Sequence, residues 1–109
     1  MILYEVSLFI DKHIYHEFKI WLNEHATEML SYDGFIDAKI LSETSDETSD
    51  ERALIVQYIL DSEENLNNYF NNKAMMMRKK GTDLFGEKFR ATRRILKIEF
   101  MCCSQKIIA

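Results

Sequence analysis

The feature that most constrains the fold is the spacing of hydrophobic residues, which switches along the chain between a period of two and a period of three to four. Alternating stretches, typical of β-strands, are found at residues 2–10, 35–42, 52–60 and 88–100. Spacings of three and four, typical of amphipathic helices, are found at residues 11–32 and 62–81, with a short helical turn around residues 83–85. The predicted order is therefore strand, helix, strand, strand, helix, strand.

Residues that favour helix ends agree with these boundaries. Asp11 is placed to cap the first helix and Gly34 to close it. Ser62 is placed to open the second helix and Gly81 to end it. With right-handed crossovers, this order predicts an α+β fold of the ferredoxin-like βαββαβ kind. Such a fold is a four-stranded antiparallel sheet with two helices on one face.

The chain is predicted to form one domain over residues 1–100, followed by a C-terminal tail over residues 101–109. The first strand contains Glu5 and lacks a basic start, so it is predicted not to be a signal peptide. No stretch approaches the ~20 apolar residues that cross a bilayer. We therefore predict a cytoplasmic protein with no membrane partner. The adjacent Cys102 and Cys103 suit neither an ordinary disulfide nor a CxxC site and are predicted to be reduced thiols.

The charges of the chain are divided unevenly between its two parts. The net charge is −4, but residues 1–64 hold 15 acidic and 4 basic side chains, whereas residues 65–109 hold 3 acidic and 10 basic ones. Opposed charge of this kind attracts one part to the other, or to a second copy, and an acidic whole repels phosphate backbones. We therefore predict no nucleic-acid partner.

The sheet face that no helix covers, here called the helix-free face, is predicted to be unusually apolar. It is expected to carry Leu3, Phe9, Phe35, Leu41, Ala53, Ile55 and Ile59 beside Glu5, Ser7, Asp37, Lys39 and Gln57, while Ile36, Ala38 and Ile40 pack under the helices. Leaving large apolar side chains in water forfeits roughly 1.5 to 3 kcal/mol for each one. The economical cover is a second copy of the same face, which predicts a homodimer that pairs as an α/β barrel.

The stretch FRATRRIL in the last predicted strand places its two adjacent arginines on opposite faces. Arg93 is expected at the margin of the core, with its stem packed and its head reaching water or the acidic end of the first helix. Arg94 is expected on the helix-free face next to Glu5, because the last strand neighbours the first one in this topology. A guanidinium beside a carboxylate in an enclosed space predicts a buried or half-buried ion pair.

Three segments of the chain resemble a known family. The opening MILYEVSLFID, the GFIDAKI after the first helix and especially LFGEKFRATRRIL are similar to a bacterial family of small proteins of unknown function. That family is placed in the dimeric α/β-barrel superfamily, alongside antibiotic-biosynthesis monooxygenase-like proteins. The resemblance covers about residues 1–98. It implies the ferredoxin-like fold and a homodimer, and it brings no established activity or catalytic residue; the tail MCCSQKIIA runs beyond the family pattern.

Candidate ligand-binding residues are those that combine a polar group with an apolar setting. They are Glu5, Trp21, His25, Gln57, Tyr58 and Arg94, expected around a pocket on the helix-free face. Simpler interpretations remain open: His25 as a hydrogen-bonded core histidine, and the polar groups as ion pairs across a dimer interface. No metal site is predicted, because His13 and His16 lack further ligands.

These residues and the family resemblance leave two classes of function open. The first is a cofactor-independent binder or enzyme of the monooxygenase-like kind that acts on a small molecule. The second is a non-catalytic dimeric interaction or regulatory module. The sequence contains no glycine-rich phosphate loop, nucleophile elbow or catalytic triad spacing, so no cofactor is predicted.

Overall fold

The computed structural model describes residues 1–43 and 49–104 and confirms the ferredoxin-like α+β fold. Its elements are β1 (Ile2–Asp11), α1 (Tyr15–Met29), β2 (Phe35–Ser42), β3 (Glu51–Leu60), α2 (Glu63–Asn72), α3 (Ala74–Phe85) and β4 (Phe89–Lys97). The strands form an antiparallel sheet in the order β2-β3-β1-β4. The middle of the acidic connection between β2 and β3, and the last five residues of the predicted tail, lie outside the described residues.

The core lies between the helices and one face of the sheet, here called the covered face. The two central strands pair residue for residue, with Val6 opposite Val56 and Leu8 opposite Leu54. These side chains pack against the apolar stripes of the helices, as the periodicity predicts. The buried helix residues in this core are Phe18, Leu22, Ala26 and Met29 of α1, Leu66 and Tyr69 of α2, and Ala74 and Met77 of α3.

A β-bulge near the start of β2 reverses one prediction. Phe35 pairs with Leu60 and Asp37 with Ile59, so Ile36 has no residue directly opposite on β3. The extra residue turns Phe35 into the core, where it is 8% exposed, and leaves Ile36 53% exposed. The expectation that Ile36 is buried and that Phe35 lies on the helix-free face is therefore wrong. Alternation alone cannot show where a strand contains an extra residue.

The second predicted helix is two helices, which meet at Lys73. Its N-terminal boundary is confirmed, because the Ser62 hydroxyl accepts a hydrogen bond from the Asn65 N–H. Asparagine is a poor helix former, and the Asn72 side chain donates to the Asn68 carbonyl at 2.9 Å, next to the break. Lys73 then leaves helical geometry, with φ −129° and ψ −28°.

Gly81 does not end a helix, contrary to the prediction. It is buried inside α3, and a Cβ atom there would lie 2.9 Å from Cη2 of Trp21. The missing side chain therefore lets α3 approach α1 closely. The helix ends instead at Gly86, whose φ of 58° suits glycine.

Two further ends differ from the prediction. Asp11 belongs to β1 and does not cap α1; its Oδ1 accepts a hydrogen bond from the His13 N–H at 2.8 Å and holds the turn before the helix. The last strand stops at Lys97 and not at residue 100. Beyond its end, Ile98 N–H still donates to the Met1 carbonyl at 3.0 Å.

Candidate ligand-binding cavity

The six predicted site residues divide between the two faces of the sheet. Trp21, His25 and Tyr58 line a cavity on the covered face, beneath the helices. Glu5, Gln57 and Arg94 meet on the helix-free face. The expectation that all six surround one pocket on the helix-free face is therefore wrong, because the apolar stripe of α1 carries Trp21 and His25 onto the opposite side.

The cavity lies between the sheet and helices α1 and α3, and its volume is about 100 Å³. Its floor is formed by alternate residues of the central strands, including Tyr4, Val6 and Val56. Its walls come from α1 and α3, where Gly81 leaves room for the Trp21 ring. The cavity therefore exists where two helices and a sheet meet, a junction that spacing along the sequence does not reveal.

Aromatic rings form a large part of the cavity wall. Trp21 stacks on His25 with ring centroids 4.6 Å apart, and it also contacts Phe18 at 5.4 Å and Phe85 at 5.8 Å. Tyr4 stacks on Tyr58 at 5.8 Å. Flat, rigid walls of this kind favour a flat ligand, since aromatic groups pack best in stacked or edge-to-face pairs.

His25 presents a buried polar atom without a partner. Its Nδ1 has no hydrogen-bond partner within the described part of the chain, so the prediction of a hydrogen-bonded core histidine is wrong for this atom. Burial lowers the pKa of His25, while nearby Glu28 raises it and Lys80 lowers it further. The imidazole is therefore neutral at neutral pH, and one ring nitrogen is available as an acceptor.

Three tyrosines add hydroxyl groups to the same region. Burial raises the pKa values of Tyr58 and Tyr69, and each is raised further by its tyrosine neighbours. Both hydroxyls therefore stay protonated in the physiological range and can donate hydrogen bonds. The Tyr4 hydroxyl accepts a long hydrogen bond from Arg78 Nη2 at 3.5 Å.

Two arginines border the cavity, and one of them, Arg78, was not among the predicted site residues. Its guanidinium reaches Tyr4 and lies 5.9 Å from the Phe70 ring centre. Arg93 lies at the core margin, as predicted, and lines the cavity. Its position on β4 explains this placement, because Arg93 is opposite Val6, which also lines the cavity.

On the helix-free face, the strand register aligns a row of polar residues: Lys39, Gln57, Glu5 and Arg94. Glu5 Oε1 accepts a hydrogen bond from Arg94 Nε at 2.7 Å, and Oε2 accepts one from Gln57 Nε2 at 3.0 Å. The hydrogen bond from Arg94 lowers the pKa of Glu5 most, and the bond from Gln57 lowers it further, while burial has the opposite effect. The predicted ion pair is present, although the Arg94 side chain is 65% exposed in the single chain and so is not buried there.

Across residues 1–43 and 49–104, no three His, Cys, Asp or Glu side chains come together as a group that could hold a metal ion. Over the same residues, no helix combines the length and apolar character needed to span a bilayer. Cys102 and Cys103 are both exposed free thiols.

Residues 1–99 match the family described as Domain of unknown function (DUF4286). The chain belongs to this family. The DUF4286 match spans every helix and strand of the structure, in agreement with the resemblance read from LFGEKFRATRRIL. None of the curated proteins compared with the chain is similar to it in sequence.

Solved structures share the fold of this DUF4286 chain at low sequence identity. A protein from Deinococcus radiodurans assigned as an antibiotic biosynthesis monooxygenase has a TM-score of 0.75 at 7% identity, over 97% of this chain and all of that one. SnoaB, a cofactor-independent oxygenase from Streptomyces nogalater, has a TM-score of 0.66 at 9% identity, over 92% of this chain and 95% of that one. A Bacillus cereus protein assigned to the same monooxygenase class has a TM-score of 0.65 at 14% identity, over 94% and 98% of the two chains. These similarities establish a monooxygenase-like fold.

Proposed function

We propose that the protein is a cytoplasmic homodimer that binds a small aromatic molecule in the cavity beneath α1 and α3. The fold it shares with monooxygenase-like proteins, SnoaB among them, makes cofactor-independent oxygenation the reaction class to assay. The exposed free thiols of Cys102 and Cys103 suit a reducing compartment.

The observation that carries the proposal is that Nδ1 of His25, in an aromatic cavity, has no partner among residues 1–43 and 49–104. A buried polar atom without a hydrogen bond costs about 1 to 3 kcal/mol, so a folded protein normally provides it with a partner. A bound molecule with a hydroxyl or carbonyl group supplies that partner and also fills the space beside Trp21. The same site thereby gains a hydrogen bond and apolar contact.

The size of the cavity limits the ligand. Its volume of about 100 Å³ is below that of an engineered apolar cavity of about 150 Å³ that holds benzene. The enclosed space therefore takes no more than a single ring, and larger substituents have to extend past Thr82, an exposed residue of α3 that lines the cavity. Phenol is the matching neutral probe, because it joins one ring to one hydroxyl group.

Trp21 makes the proposal measurable. It is the single tryptophan of the chain, and it lines the cavity, so its fluorescence reports directly on occupancy. We expect phenol to change Trp21 emission saturably, with a dissociation constant in the millimolar range or below. Thr82→Phe, which adds a ring to the cavity lining, should abolish the change, whereas Leu84→Phe should preserve it, because Leu84 lies on α3 outside the cavity lining. A linear change without saturation, unaffected by Thr82→Phe, would refute the proposal.

A non-catalytic dimeric module is the second candidate, and the helix-free face favours it. That face carries half-buried or exposed apolar side chains around the Glu5 row, such as Leu3, Ile55 and Leu96. Native mass spectrometry of the purified protein separates the candidates, since it shows the dimer mass and a retained small molecule together. Oxygen uptake with the retained molecule then decides between binding alone and oxygenation.

A further inference from the structure

We infer that the molecule bound in the cavity is a small aromatic carboxylate, with its ring against Trp21 and its carboxylate held by Arg78 and Arg93. This inference rests on the proposed function and specifies the chemical class of its ligand. It is carried by the charges that border the cavity.

Arg78 and Arg93 are the two charged side chains among the described residues that line the cavity, and no Asp or Glu lines it with them. Neither guanidinium has a carboxylate within 4.0 Å in residues 1–43 and 49–104. Other basic side chains of the chain do have one: Arg94 pairs with Glu5 on the helix-free face, and Lys80 pairs with Glu28. The cavity therefore carries two positive charges that the described residues leave without a carboxylate.

The two arginines approach the same part of the wall. Arg78 Nη2 lies 3.5 Å from the Tyr4 hydroxyl oxygen. Burial raises the pKa of Tyr69, and the positive charges of Arg78 and Arg93 both oppose this by lowering it. The rings of Tyr4 and Tyr69 are 6.4 Å apart. The positive charge is thus concentrated beside two hydroxyl groups, where an oxyanion would meet several donors at once.

A carboxylate matches this set of donors better than a phosphate does. An arginine guanidinium binds a carboxylate through two parallel hydrogen bonds, and tyrosine hydroxyls add single donors. The remaining volume takes no more than one ring, which stacks on the aromatic wall, and a hydroxyl group on that ring would meet the His25 Nδ1. Benzoate is the smallest probe that joins the ring to the charge, and benzamide has the same shape without the charge.

The experiment compares benzoate with benzamide by Trp21 fluorescence and by calorimetry. Wild-type protein should bind benzoate roughly tenfold more tightly than benzamide, since hydrogen bonds to charged groups are the stronger ones. Raising the ionic strength should weaken benzoate binding and leave benzamide binding unchanged, because salt screens exposed charges. This comparison needs no substitution, so it holds even where a variant fails to fold.

Three variants test which arginines bind the carboxylate. Arg78→Gln and Arg93→Gln should each weaken benzoate binding roughly tenfold and leave benzamide binding within about twofold. Arg90→Gln is the matched control: it removes the same charge from β4, but Arg90 lies on the helix-free face, stacked on Phe9 at 4.0 Å. Benzoate affinity should be unchanged in that control.

The outcomes separate this inference from the proposed function. If benzamide and benzoate bind equally well to the wild type and to both cavity variants, the inference of an anionic ligand is wrong. The cavity is then an aromatic site that binds neutral molecules. Absence of saturable binding by phenol, benzamide and benzoate alike would overturn both. An Arg90→Gln effect as large as that of Arg93→Gln would show that overall charge, and not this site, attracts the anion.

Discussion

Glu5 is the one charged side chain that is buried among the described residues, and its two oxygens have separate partners. Removing a carboxylate from water is costly unless hydrogen bonds replace the lost hydration. Arg94 and Gln57 supply them from the two neighbouring strands. This arrangement followed from the sequence, because strand order and alternation together place these three side chains in one row.

The residue-scale prediction concerns the coupling between Glu5 and Arg94. Arg94→Ala should destabilise the fold more than Arg90→Ala, because it leaves the buried Glu5 carboxylate with one partner fewer. Arg90 makes only a longer contact of 3.4 Å to Glu51 at the surface. The double variant Glu5→Gln, Arg94→Ala should be less destabilised than the sum of its single variants by about 1 kcal/mol. Urea unfolding of the wild type, the two single variants and the double variant measures this coupling energy. If the effects of Glu5→Gln and Arg94→Ala simply add, and Arg94→Ala costs no more than Arg90→Ala, the ion pair contributes nothing to stability.

At the scale of elements, the strands followed from the sequence more reliably than the helices did. Alternation is a local signal, and it gave β1 and β3 within a residue of their observed ends. The bulge at Ile36 was not predicted, since alternation does not show where a strand contains an extra residue, and the break at Lys73 was not predicted although the asparagines before it are poor helix formers. Gly81 was misread because its role depends on packing: a glycine that ends a helix and one that admits a neighbouring helix look alike in a sequence.

Gly81→Ala tests the close approach of α1 and α3. Alanine favours a helix over glycine by about 1 kcal/mol, but the new Cβ would meet Trp21 at 2.9 Å and Phe89 at 3.3 Å. Overpacking of this kind costs roughly 1 to 3 kcal/mol, so we expect a net loss of about 1 kcal/mol together with altered Trp21 emission. Chemical denaturation monitored by fluorescence measures both.

The control for this variant is Leu84→Ala on the exposed side of α3, where stability should change by less than about 0.5 kcal/mol. A Gly81→Ala protein more stable than wild type, with unchanged emission, would show that the helices have room to separate.

At the scale of the whole molecule, the position of the cavity was the part that the sequence could not provide. Trp21, His25 and Tyr58 were recognised as candidates, but the sequence assigned them to the wrong side of the sheet. A cavity is the space left after helices and strands have packed, so it depends on distances between elements that have no signature in spacing. The helix-free face, by contrast, was described correctly for β1 and β3, because alternation defines it directly.

The whole-molecule prediction is that two copies pair through the helix-free face. Sedimentation at micromolar concentration should give twice the chain mass of 13.0 kDa. Ile55→Asp places a charge in the middle of that face and should yield a monomer, because an unpaired carboxylate resists burial. Leu84→Asp is the matched control, on the opposite side of the molecule, and should leave the dimer intact. A wild-type monomer, or dissociation by both variants equally, would contradict this mode of pairing.

The alternation of β1 has a consequence for regulation. Tyr4 and Val6 line the cavity, whereas Glu5 between them points to the face proposed to meet a second copy. A single backbone segment therefore forms part of both surfaces, so a movement of β1 at one surface also moves residues at the other. If the ligand and the partner favour the same position of this strand, each raises the affinity for the other by an equal factor, as thermodynamic linkage requires. Ligand concentration would then set the fraction of protein that is assembled.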